Sequence, residues 1–353
     1  MALSPNPLTW TFPGALRNYQ YGPELHHTVN YYPNPTRITG GNPWILFAHG
    51  GGLGSGDKTY QVEGVTRIHI VAAYFLDSAS YGTSACFDFF SMEYNCHAHA
   101  DTVQSDYETT LEGVAPGSTG TGPVSYPAYA RSWVDDMQRC VQWIKDHITG
   151  IDPNKGVLFG NSAGGVIAAT AGIGPQREWS SVPFDQWTAQ SPSNVRGVLL
   201  YQTPIEINPW KSSVFEMNGH LGLLTSDNLT SRADYERALL EPDATGLYPD
   251  TVEPNALCKS FSPVHVVAAH GHETASVPIH SVYNVFEVTS APVTTYSAIP
   301  PLIAHDYTQG ATFQAACDDA GITHTYEIVA GVTQAQFEAI LPTMYARSAA
   351  WVA

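Results

Sequence analysis

Ser162 stands in Gly160-Asn161-Ser162-Ala163-Gly164, with the apolar run Val157-Leu158-Phe159 before it and a small-residue apolar stretch after it. The pattern predicts a strand, a sharp turn and a helix. Glycines on both sides of the serine permit a strained turn that lifts the hydroxyl clear of a sheet and aims the next backbone amide at whatever that oxygen attacks. Ser162 is therefore the candidate nucleophile, and the Ala163 amide a candidate donor to the negative oxygen that attack on a carbonyl creates. About 110 residues upstream, the apolar run 44–48 enters His49-Gly50-Gly51-Gly52. A glycine loop after a strand leaves its backbone amides open, and the H-G-G-G motif is one that supplies oxyanion amides, so Gly51 and Gly52 are candidate donors. Each turn alone also reads as an ordinary glycine connection with a buried serine or histidine; the two together, in this order, read as one site for carbonyl chemistry.

These groups need a rigid frame, and the chain supplies an alternation of strand and helix signals. Residues 9–12 and 25–32 read as opening, antiparallel strands, 44–48 as the third, and the nearly continuous apolar run 68–74 as a fourth, covered on both faces. From 76 to 126 the pattern breaks into aromatics and small polar residues, which predicts an inserted excursion beside the pocket. Residues 133–148 are the clearest helix, with Asp135 and Asp136 in its first turn, and it leads to the nucleophile strand. Residues 196–202 read as the sixth strand, 203–263 as a cap insertion with a helix at 232–240, and 264–269 as the seventh strand. A helix around Tyr283, another at 312–319 stopped by Gly321, the eighth strand at 324–329 and a closing helix at 337–352 complete the series. There are no internal repeats. The expected architecture is a single α/β domain over 1–353, a mostly parallel eight-stranded sheet with helices on both faces and inserted excursion and cap segments.

Composition narrows the partners. Lys+Arg of 15 against Asp+Glu of 32 gives a net charge of −17, which repels nucleic acid and anionic membrane surfaces. No apolar run reaches the ~18 residues of a membrane span, and the first residues resemble no secretory leader, so the expected location is cytoplasmic. Five cysteines, Cys86, Cys96, Cys140, Cys258 and Cys317, are an odd number without a C-x-x-C pair, which favours thiols over a zinc site, with a Cys86–Cys96 bridge as the alternative. His97 and His99, beside Cys96 and Asp101, lack a second ligand cluster and read as solvated loop residues; no metal and no cofactor are expected. The expected partner is a small-molecule substrate, apolar or aromatic if the aromatics of 76–126 line the pocket. A homo-oligomer stays open. The Asn228 sequon is set aside for want of a secretory signal.

With these residues in hand, the chain resembles the α/β-hydrolase superfamily, nearest its HGGG-type esterases and related fungal hydrolases. The resemblance rests on His49 to Gly52, Gly160 to Gly164, a segment from His270 to Pro278, and one from Gly331 to Phe337. It implies the order serine, acid, histidine, with the acid after the seventh strand and the histidine after the eighth. Here the chain departs. The acid position falls at Thr274, with Glu273 one place earlier as the expected acid. The histidine position falls at Thr333 or Gln334, and no histidine follows His324. Neither an amide nor a hydroxyl accepts the serine proton at neutral pH. His272, His305, His97 and His99 are the alternatives for the base, and Glu206 for the acid; Asp135 reads as a cap or buried partner. His49, Asn161, Thr274 and Gln334 are expected to line the substrate, His49 with a structural role in the loop as its other reading.

Three functions fit this pattern. The first is a serine hydrolase acting on an ester, lactone or thioester of a small organic acid or natural product, with a degenerate triad. The second is a cyclase, lyase or isomerase of secondary metabolism that uses the oxyanion donors to polarise a carbonyl without an acyl-enzyme. The third is a ligand-binding protein without chemistry. Fold alone does not choose among them.

Overall fold

The computed structural model describes residues 16–22, 26–51, 58, 61–62, 66–77, 85–94, 111–114, 130–174, 195–205, 262–271, 274, 276–285, 308–330 and 334–353. In chain order these form β1 (Arg17–Gln20), β2 (Thr28–Tyr32), β3 (Asn42–Ala48), the short hairpin β4 (Gln61–Val62) and β5 (Thr66–Arg67), α1 (Ile68–Leu76), β6 (Asp88–Met92) and β7 (Leu111–Val114). There follow α2 (Ala130–His147), β8 (Ile151–Asn161), α3 (Ala163–Ile173), β9 (Gly197–Tyr201), α4 (Pro263–His270), β10 (Ile279–Val285), α5 (Thr308–Ala320), β11 (His324–Ala330) and α6 (Gln334–Val352).

The main sheet runs β11-β10-β9-β8-β3-β6-β2-β1-β7. Strand β2 is antiparallel to its neighbours β1 and β6, and every other pair is parallel. Eight of these strands make the expected mostly parallel sheet; β7 extends it at the β1 edge. Parallel crossovers put helices on both faces, which is why β3 and β9 are buried along their whole length. One core packs the sheet against α2, α3, α4 and α5 through residues such as Leu46, Leu158, Leu200, Met137, Ile167, Val267 and Phe313. The other packs Phe47, Phe89, Phe159 and Tyr201 against α1 and α6.

Five expectations are corrected. Residues 68–74 are helix α1, not a strand: an apolar run of that length carries no period, and this helix is apolar all round because it lies against β6 and α6. Residues 264–269 form helix α4, opened by Ser262 and by Pro263 in its first turn. The true seventh strand is β10, over Tyr283, where a helix was expected. Within 76–126, DFFSM is the inner strand β6, paired with β3 and β2. Helix α2 also starts earlier than its apolar stripe suggests, so Asp135 and Asp136 sit in its second turn rather than at its dipole.

Several expectations fall outside the described residues: the strand at 9–12, the helix at 232–240, and His97, His99, Glu206, His272 and His305. Cys86, Cys140 and Cys317 are buried thiols. No helix among the described residues is long and apolar enough to cross a membrane.

Candidate active site

Parallel strands place their C-terminal ends on one edge, and the register aligns Ala48 of β3 with Gly160 of β8, and Asn161 with Tyr201 of β9. Ser162 follows β8 at this edge and adopts φ 52°, ψ −118°, a left-handed backbone that a non-glycine residue holds only when its surroundings force it. They do: the Ser162 amide donates to the Tyr201 carbonyl (2.8 Å) and the Ser162 carbonyl accepts from the Gly165 amide (2.9 Å). A Cβ at Gly160 would strike the Gly164 carbonyl, and one at Gly164 would strike the Ala48 carbonyl, so glycines let the turn close against β3. The serine side chain makes no capping bond to α3, although serine commonly caps a helix from this position. Its successor, Ala163, opens α3, where the amide dipoles favour negative charge.

The glycine loop lies against this turn. A Cβ built on Gly50 would stand 3.2 Å from Ser162 Cβ and 2.6 Å from Asn161 Oδ1. Gly51 follows with φ 123°, open to glycine alone at low cost. Gly52 lies outside the described residues.

One carboxylate holds both ends of this loop. Glu93, just after β6, has Oε1 3.0 Å from His49 Nε2 and accepts the Lys58 amide on Oε2 (3.0 Å). His49 Nδ1 faces the Gly50 carbonyl (2.7 Å), which only accepts, so Nδ1 carries a proton. Tyr94 stacks on the His49 ring at 4.2 Å and donates its hydroxyl to the His49 carbonyl (2.9 Å). The buried Lys58 ammonium donates to Asn18 Oδ1 (3.0 Å) and Thr28 Oγ1 (2.6 Å). We expect Glu93→Ala to cost about 2–4 kcal/mol, since it strips a buried imidazole and an amide of their partner. Glu93→Gln should retain most of that stability, because its amide can donate to Nε2 and accept from Lys58; urea unfolding of the two variants checks the difference.

Other expected site residues fare unevenly. His49 is fully buried with both ring nitrogens engaged, so it holds the loop instead of touching substrate or serving as base. Asn161 is buried and donates to the Tyr201 carbonyl (3.3 Å), joining β8 to β9 under the elbow. Thr274 is displaced from the site: its hydroxyl bonds the Ile173 carbonyl (3.3 Å), at the far end of α3, about 15 Å from Ser162 by helical rise. Glu273 lies outside the described residues. Gln334 opens α6, four residues past the end of β11.

His324, the last histidine, enters β11 at the opposite edge. Register puts it level with Leu158 and three strands away, roughly 19 Å from the elbow. Its nitrogens face Ser281 Oγ (2.8 Å) and Gln314 Oε1 (2.9 Å), and burial pushes it down to about 4. Among the described residues one histidine–carboxylate cluster also converges, at the start of β2: His27 Nε2 lies 2.9 Å from Asp136 Oδ1, and His26 Nε2 3.4 Å from Oδ2. Burial keeps His27 neutral. Burial alone would raise the Asp136 carboxyl, but the two histidines against it hold it well below the usual carboxylate range. The cluster lies three strands from β8, about 14 Å across the sheet, beyond proton-transfer reach of Ser162.

No protein-family model matches the chain, and no curated protein matches it by sequence. Solved structures do. Esterase 2 of Thermogutta terrifontis phosphoramylated by tabun superposes with TM-score 0.54 at 14% identity, over 95% of this chain and 93% of that one. The propionate-bound form of that thermophilic esterase gives 0.53 at 16%, over 94% and 93%. A truncated carbohydrate esterase from gut microbiota gives 0.52 at 12%, over 92% of each. At these identities the likeness is one of fold, and it spans nearly the whole chain: the protein has the α/β-hydrolase fold.

Proposed function

We propose that the protein is a serine-dependent hydrolase of the esterase kind, acting on an ester, lactone or thioester carbonyl of a small organic acid. The observation that carries this reading is the strained Ser162 elbow set against the Gly50–Gly51 loop. Ser162 Oγ attacks the carbonyl carbon, and the amides of Gly51, Gly52 and Ala163 receive the oxyanion. The esterase neighbours support the chemistry at the level of fold.

The acid belongs after β10, the seventh strand of the eight. The first carboxylate there in sequence is Glu287, two residues past Val285, which joins Glu273 as a candidate for this role. Pro278 followed by the β-branched and aromatic residues Ile279, Val282, Tyr283 and Val285 is the sequence signal of this strand. No histidine follows β11 in sequence, so the base comes from elsewhere, with His97, His99, His272 and His305 the candidates. That gap favours one second reading: a lyase or cyclase that uses the amides to polarise a carbonyl and needs no acyl-enzyme.

Hydrolysis of p-nitrophenyl butyrate separates them. The hydrolase reading expects a burst of one p-nitrophenolate per chain, lost in Ser162→Ala, and a fall of roughly 10²-fold or more in kcat for Glu287→Gln. No turnover by folded protein favours the second reading.

A further inference from the structure

Ser162 and Gln202 are the two non-glycine residues with left-handed φ among the described residues, at 52° and 53°. They are neighbours. Asn161 pairs with Tyr201, the Ser162 amide donates to the Tyr201 carbonyl, and Gln202 is the next residue, one strand spacing, about 4.8 Å, from the elbow. The backbone there is held on both sides: the Gln202 amide donates to the Val282 carbonyl (2.9 Å), and the Tyr283 hydroxyl donates to the Thr203 carbonyl (3.3 Å).

The side chain is the anomaly. Gln202 is 0% exposed, yet neither its Nε2 nor its Oε1 has a hydrogen-bond partner among the described residues. A primary amide offers two donors and two acceptor sites, and burying all of them unmet is costly enough that folded proteins rarely do it. Strain and an unmet polar group in one residue beside a nucleophile mark a place where the partner arrives from outside.

We propose that Gln202 is a substrate-binding residue, whose carboxamide hydrogen-bonds a neutral oxygen or nitrogen function next to the reacting carbonyl. This rests on the reading of Ser162 as the reacting centre. An uncharged amide does not compensate a buried charge, so the matching substrates carry an ether, hydroxyl or amide near the carbonyl rather than a carboxylate or ammonium. Gln202 thereby sets specificity while the elbow and loop do the chemistry.

The test compares two unreactive isosteres, 2-methoxyacetamide and butyramide, whose affinities for the full chain are read by ligand-observed NMR. They differ by one ether oxygen in place of a methylene. Wild type should bind the methoxy compound about fivefold tighter, and Gln202→Met should bind the two alike. The same variant should melt no lower than wild type, with a rise of roughly 1–3 °C, because an apolar isostere removes the unmet amide. Equal affinities in wild type, binding of neither compound, or a fall in Tm for Gln202→Met overturns the proposal; the last would mean that the amide's partner lies within the protein or is a trapped water. Fluorophosphonate labelling of Ser162 is read in parallel. Labelled protein that does not discriminate the pair sinks Gln202 alone, and discrimination without labelling sinks the nucleophile alone.

Discussion

Gly164→Ala is expected to destabilise the protein by about 3 kcal/mol or more and to erase activity in whatever stays folded. The added methyl would point into the carbonyls of Ala48 and His49, and both are backbone atoms held in the sheet and loop. Neither can swing aside. Relief requires α3 to lift off β3, which moves Ala163 and Ser162 together and opens the elbow from the glycine loop. A contrasting substitution isolates the steric part: Gly321, with φ 74° and no atom near its missing Cβ, should cost only about 1 kcal/mol on change to alanine. Denaturant unfolding of the two variants checks the ordering; similar losses would show that the elbow is looser than its packing indicates.

Acid should unfold the chain earlier than its carboxylates alone dictate. Burial pushes His280 and His324 down to about 4, with the Arg347 charge adding to the effect at His280, and it lowers His27 likewise. A histidine whose folded pKa lies below its unfolded value, about 6.5, stays neutral in the fold while the unfolded chain takes up its proton. Stability therefore falls as pH drops below about 6.5 and goes on falling until about 4, where the folded histidines themselves protonate. Each contributes a loss of roughly 1–2 kcal/mol by pH 5. Tm measured from pH 7.5 to 4.5 should drop steeply over this window, with calorimetry in buffers of different ionisation heat showing about one proton taken up per buried histidine on unfolding. A flat profile between pH 7 and 5 would contradict it.

What was legible in the sequence was local. The elbow and the glycine loop were readable because their chemistry is written in adjacent residues: glycines where a Cβ would strike backbone, a serine between them, an apolar strand before each. The eight-strand plan was readable because alternation survives errors in single elements. What failed was the assignment of short apolar runs. IHIVAAY, VHVVAA and IHSVYNV are similar in length and composition, and only their surroundings separate them: α1 is buried between sheet and helix, α4 has its Pro263 start, and β10 follows Pro278. That exchange of helix for strand moved the expected seventh strand from β10 to the residues of α4. The pairing of Glu93 with His49 and Lys58 was not legible at all, since it joins residues 44 and 35 positions apart that only the sheet brings together.

The proposed hydrolase needs Ser162 to be an activated nucleophile, although no histidine follows β11 in sequence. Intact-mass spectrometry after incubation with a fluorophosphonate measures this most directly, with Ser162→Ala alongside. One covalent adduct per wild-type chain and none on the variant is the predicted result. A folded wild-type protein that takes no adduct, or an adduct that persists on Ser162→Ala, would show that Ser162 is not an activated nucleophile.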